Sequence, residues 1–109
     1  MERLPEIELL TLLAVARIGD SAYGVAILDE ICDSSGREAS VAAVYAALER
    51  LARQGLVRES MSDPLPERGG RARRQYRLSA AGRSRLQLER AAAMRLWRLK
   101  PLKDDPSPW

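Results

Sequence analysis

The amino-acid sequence predicts a mainly α fold that carries one small β-hairpin. Three observations predict it. Apolar residues recur at helical spacing in four separate stretches. Two short runs, residues 56–61 and 71–78, flank a segment rich in Pro and Gly, as the strands of a hairpin do. At 109 residues the chain has room for one modest core, which makes it a single domain.

Pro5 followed by Glu6 and Glu8 opens the first helix, because proline is tolerated in the first turn and acids favour the positive end of the helix dipole. This helix runs to Ile18, with Gly19 as its terminating residue. Its apolar residues, among them Ile7, Leu9, Leu10, Leu12, Leu13 and Val15, occupy nearly the whole circumference. Such a helix must be covered on all sides, and in a small domain a second copy of the chain is one source of cover. A second helix over 22–33 has Ile27, Leu28 and Ile31 as its core stripe, and Ser34-Ser35-Gly36 ends it. An extended piece over 37–39 leads to Ser40, which suits the N-cap of a third helix over 41–54, stopped by Gly55. Val44, Ala47, Leu48 and Leu51 give that helix its buried stripe. A strand over 56–61, a loop over 62–70 and a returning strand over 71–78 follow. On the returning strand Ala72, Tyr76 and Leu78 share one face, while Arg71, Arg73, Gln75 and Arg77 share the other. Ser79 caps a last helix over 80–100, and residues 101–109 read as a disordered tail.

Charge is segregated along the chain. The net charge is only +3, yet residues 1–34 hold seven acids and two bases, and residues 68–100 hold eleven bases and Glu89 as the one acid. From Arg68 through Arg85 there are seven arginines and no acid, an arrangement whose local field attracts phosphate backbones. Histidine is absent, which removes the commonest general base and the commonest metal ligand. Cys32 is the lone cysteine, so it makes neither an intrachain disulfide nor a cysteine-based zinc site, and it reads as a core thiol. Gly69-Gly70 joins two strands instead of opening a helix, so it does not resemble a phosphate-cradling loop. No catalytic constellation emerges, and the expectation is a protein that is not an enzyme and takes no cofactor or metal. With no signal peptide or continuous apolar span of membrane length, a cytoplasmic location is expected.

Three helices followed by a two-stranded hairpin is the order of a winged helix-turn-helix, here over residues 1–79, with one further C-terminal helix over 80–100. The helix opening at Ser40 takes the recognition position, its N-terminal residues toward base edges in the major groove of double-stranded DNA. Ser40, Val41, Ala42 and Ala43 are small; Ser40 alone is polar, and the others suit thymine methyl groups. Phosphate contacts must therefore supply much of the affinity. The hairpin residues Arg68, Gly69, Gly70, Arg71, Arg73 and Arg74 are their natural source. A winged-helix interaction module whose basic face docks an acidic protein is the alternative.

Four segments in order resemble one family. Tyr23-Gly24-Val25-Ala26-Ile27 is similar to its tyrosine-glycine opening of the second helix. The run from Ser40 to Leu51, with Gln54-Gly55-Leu56-Val57 as its exit, resembles the recognition helix. Pro66-Glu67-Arg68-Gly69-Gly70-Arg71, then Tyr76-Arg77-Leu78-Ser79-Ala80-Ala81-Gly82, looks like the wing and the start of the last helix. Over residues 6–90 the chain resembles the PadR-like transcriptional regulators, and the single C-terminal helix resembles their compact subgroup. The resemblance implies a homodimeric winged-helix repressor on a pseudo-palindromic operator. Its first and last helices would form the subunit interface, here through Leu9, Leu12, Leu13, Leu86, Ala93, Met94 and Trp97. Ala42-Ala43 stands where members often carry a glycine-threonine pair, so the threonine hydroxyl is missing; this leaves base readout there open and the fold untouched.

Some residues carry two readings. Tyr45 reaches a phosphate or packs on the seam between helix and wing, and Tyr23 is balanced between a DNA-backbone contact and the core. Tyr76 reads as core, and Arg50 and Arg53 as a solvated face. Trp97 is an interface anchor or, as in some relatives that bind flat aromatic drugs between paired last helices, a platform for a small aromatic effector.

Overall fold

The computed structural model describes residues 3–20, 22–61 and 73–99. The expected wing tip, including Arg68, Gly69, Gly70 and Arg71, and the expected tail over 101–109 lie outside the described residues. The element order is α1 (Glu6–Ile18), α2 (Gly24–Ser35), α3 (Val41–Arg53), β1 (Val57–Met61), β2 (Arg74–Leu78) and α4 (Ala80–Leu99). The expected class and order of elements hold.

The boundaries that differ do so for local hydrogen-bonding reasons. α2 starts at Gly24 because Ala22, expected inside it, pairs with the hairpin instead: the Tyr76 amide donates to the Ala22 carbonyl at 2.8 Å. β1 starts at Val57 because Leu56 is committed elsewhere. Its amide donates to the Leu51 carbonyl at 2.9 Å, and its carbonyl accepts from the Ser79 amide at 3.1 Å. β1 and β2 pair antiparallel, from Val57 opposite Leu78 to Met61 opposite Arg74. Arg73 precedes the paired stretch.

α1 is the hub. It packs against α2, α3, β2 and α4. Leu12, Val15, Ile27, Val44, Leu48 and Leu51 are fully enclosed, each contributing about 1.5–3 kcal/mol by the burial of its side chain. Leu12 was expected at the subunit interface. It lies in the chain's own core, because α1 turns that stripe toward α3, and its side chain is shut off from a second copy. Cys32 is half-buried, not enclosed.

A buried acid stitches α1 to α3. The Glu8 carboxylate accepts from Arg50 Nε at 2.8 Å and from Gln54 Nε2 at 3.4 Å. Arg50 was expected on a solvated face; half of it is exposed, but its head is held by this pairing.

Ser79 fastens the hairpin to α4. Its Oγ donates to the Gly55 carbonyl at 2.6 Å and accepts from the Gly82 amide at 2.9 Å, the N-cap role expected of it. Gly82 itself lies against the Leu56 carbonyl, so a Cβ there would collide with backbone and, at 2.8 Å, with Leu78 Cδ1. In an exposed helix, Gly→Ala stabilises by about 1 kcal/mol. At Gly82 the collision dominates: Gly82→Ala is expected to destabilise by about 1–3 kcal/mol in urea unfolding. An unchanged or raised midpoint would show that α4 can move away from Leu56 freely.

Candidate nucleic-acid interface

Ser40 begins the surface in question. Its Oγ accepts from the Ala43 amide at 3.0 Å and so caps α3. The hydroxyl proton remains as the outward donor. Val41 and Ala42 are exposed, Ala43 is half-buried and Val44 is enclosed, so the helix turns from surface to core within four residues. Tyr45, one turn on from Val41, remains 38% exposed while its ring occupies the space over Gly24. Any Cβ at position 24 would overlap that ring, which is why a glycine opens α2 at this point. Tyr45 was expected at a phosphate or on the seam between helix and wing; its ring packs instead on the start of α2, and part of the side chain stays exposed.

Tyr23 is the N-cap residue of α2, and its side chain makes no cap hydrogen bond. Instead its ring lies under the Arg73 guanidinium, 4.3 Å from carbon to centroid. Such cation–π contacts are worth about 0.5–1 kcal/mol at exposed sites. The bond from Tyr76 to Ala22 draws the residues just before α2 and the middle of β2 together. Arg73, Tyr23 and Tyr45 are thereby gathered beside the N-terminal end of α3.

The arginine stretch is less uniform than its sequence implies. Arg74 pairs with Glu59 at 3.2 Å and Arg77 with Asp20 at 3.1 Å, acids supplied by β1 and by the turn after α1. Arg85 pairs with Glu89 at 3.5 Å, both nearly enclosed on α4. Sequence reasoning counted the acids missing from the stretch and missed those that folding brings to it. The Arg74 and Arg77 pairs are solvent-exposed, so each costs at most about 1 kcal/mol to open toward a phosphate.

A separate groove runs between α1 and α4. It has a volume of about 480 Å³, and Leu9, Leu13, Ala16, Leu78, Leu86 and Ala93 line it, with Glu89 and Arg90 along the side. Leu9, Leu13, Leu86 and Ala93, all expected at the subunit interface, are brought together here. Met94 is half-buried further along α4, and Trp97 is 46% exposed one turn beyond Ala93.

A model of the PadR-like family of transcriptional regulators matches residues 12–88. The chain belongs to the PadR-like family. In this PadR-like chain the match runs from α1 through the interface surface into α4. No curated protein matches the sequence. The fold is similar to a PadR family transcription regulator from Clostridium difficile, with a TM-score of 0.69 and 20% identity over 84% of this chain and 91% of that one. A PadR-like transcription factor from Bacteroides fragilis gives 0.69 and 21% identity over 84% and 82%. H. salinarum RosR gives 0.70 and 21% identity over 91% and 82%. Among the described residues no helix is long and apolar enough to cross a membrane, and no cluster of three or more His, Cys, Asp or Glu side chains could hold a metal ion.

Tyr76, expected in the core, is buried there. Burial pushes its phenol above the ordinary value of 10.0, the Glu59 carboxylate adds to the rise, and the Arg74 guanidinium opposes it. A raised folded-state value favours the protonated phenol. Its contribution to stability is therefore complete below pH 10 and is lost as pH rises through the folded-state value. Denaturation of the parent and of Tyr76→Phe across this range should show the parent losing stability faster above pH 10. Parallel curves would mean that the phenol is as free to ionise in the fold as in the unfolded chain.

Proposed function

We propose that this regulator binds double-stranded DNA as a homodimer and represses transcription from a pseudo-palindromic operator in the cytoplasm. One observation carries the DNA-binding reading: the Arg73 guanidinium over the Tyr23 ring, the partly exposed Tyr45 and the Ser40-capped start of α3 lie close together, a cation and hydrogen-bonding groups beside the helix in the recognition position. Residues 1–79 are the DNA-binding unit. Ser40, Val41, Ala42 and Ala43 face the major groove, while Tyr23, Tyr45, Arg73 and Arg74 take phosphates. The wing tip, with Arg68, Gly69, Gly70 and Arg71, extends that grip. Half-sites lie about one helical turn apart, as the two-fold symmetry of a dimeric reader requires. The repressor assignment rests on the family resemblance.

Pairing takes place along the groove between α1 and α4. Leu13 is 40% exposed there and Leu96, on the same last helix as Trp97, is 75% exposed, more apolar surface than a lone helix end leaves in water. The α4 helix of a second copy, residues 80–100 as a whole, is the cover that buries it, with Trp97 as its anchor. A flat aromatic effector between two Trp97 rings is the competing use of that residue. The reading assigns the chain no catalytic step, cofactor or metal.

Arg71→Ala and Arg73→Ala should each weaken binding to all duplexes alike and lower the slope of log affinity against log salt by about one. Variants that match the parent at every salt concentration would remove these arginines from the interface, and an acidic protein that competes with DNA for the surface would favour the interaction-module reading. Light scattering should give the parent twice its chain mass and Leu13→Glu the single mass, since a carboxylate in a closed apolar interface destabilises it by several kcal/mol, about 3–5. A parent of single mass at micromolar concentration would end the dimer reading.

A further inference from the structure

The surface offered to DNA is apolar where a base reader usually carries amides or guanidinium groups. Over residues 40–46 the sequence is Ser-Val-Ala-Ala-Val-Tyr-Ala. It holds no arginine or lysine for guanine, no asparagine or glutamine for adenine and no acid for cytosine, so no bidentate base contact can be made from it. The Ser40 oxygen is already engaged with the Ala43 amide.

What this region does expose is hydrocarbon. Val41 is 46% exposed and Val25 is 54% exposed. The core needs neither, because α3 fills it with Val44, Ala47, Leu48 and Leu51. Val41 and Tyr45 are four residues apart and Ala42 and Tyr45 three, so all three share one side of α3. The Tyr45 ring covers Gly24, so the start of α2, where Val25 is exposed, lies next to this side of α3. Arg73 over Tyr23 supplies the neighbouring positive charge that holds a phosphate rail alongside. In the major groove one base presents an apolar group, and that group is the C5-methyl of thymine.

We infer that this chain reads its DNA chiefly through thymine methyl groups, with Val41 as the leading contact and Ala42 and Val25 beside it. The inference rests on the DNA-binding reading above and names the chemistry of the sequence that the surface selects. Arg73 sets position and affinity; the valines set which bases are accepted.

The test uses the purified full chain and duplexes it enriches from a random pool. The enriched duplexes are resynthesised with deoxyuridine in place of thymidine, which keeps every hydrogen-bonding group and removes only the methyl. Enriched sequences should carry fixed thymines. Uracil at those positions should weaken binding about fourfold for each contacting methyl, with the salt slope unchanged. Val41→Ala, at an exposed position that leaves the fold intact by circular dichroism, should lose most of this discrimination. Equal binding of thymine and uracil duplexes by the parent overturns methyl readout and leaves DNA binding standing. Full discrimination retained by Val41→Ala overturns the assignment to Val41. A chain that enriches no duplex at all overturns the DNA-binding reading, and this inference with it.

Discussion

A backbone hydrogen bond, from the Tyr76 amide to the Ala22 carbonyl at 2.8 Å, ties the hairpin to the start of α2, which packs on α3. Packing on α1 sets α2, α3 and the hairpin side by side, and this bond adds the direct backbone tie between the start of α2 and the middle of β2. With it, Arg73 settles over Tyr23, and α2 opens late enough for Gly24 to receive the Tyr45 ring. The burial of Tyr76 makes this link durable, because a backbone bond shielded from water does not exchange readily with solvent. The same residue thus serves the core with its ring and the interface with its amide.

The second constraint is the close approach of α4 to Leu56. Ser79 holds Gly55 and caps α4 at once, and Gly82 leaves space for the Leu56 carbonyl. The direction of α4 relative to α1 is fixed by these contacts, and so is the groove between them. Placement of the groove proposed for pairing and placement of the surface proposed for DNA therefore depend on different sets of contacts. This separation is what a regulator needs if an event at the dimer surface is to change the spacing of two DNA-binding units without unfolding either one.

Much of this was legible in the sequence because it is local. Pro5, Gly19, Ser40 and Ser79 punctuate helices through chemistry within a few residues of themselves, and each works in the fold as its position predicts. The class of fold and the stripe Val44, Ala47, Leu48 and Leu51 follow from spacing alone. Contacts between distant segments were not legible. Glu8 looked like a dipole partner at a helix start, yet it is the buried acceptor for Arg50, forty-two positions away. The acids that face Arg74 and Arg77 come from other elements, so counting charge within a stretch overstated its field. Leu12 and Leu13 are neighbours of like hydropathy, and only the packing of α1 within the fold decides that the first is core and the second is exposed.

The central claim is that DNA meets the surface built around Tyr23, Tyr45, Arg73 and the start of α3. Backbone amide chemical shifts of the labelled chain, followed as duplex DNA is added, test it most directly. The account predicts shifts concentrated in residues 22–26, 40–46 and 73–75, with the buried face of α1 little changed. Shifts confined to the groove between α1 and α4, with the start of α3 silent, would contradict it.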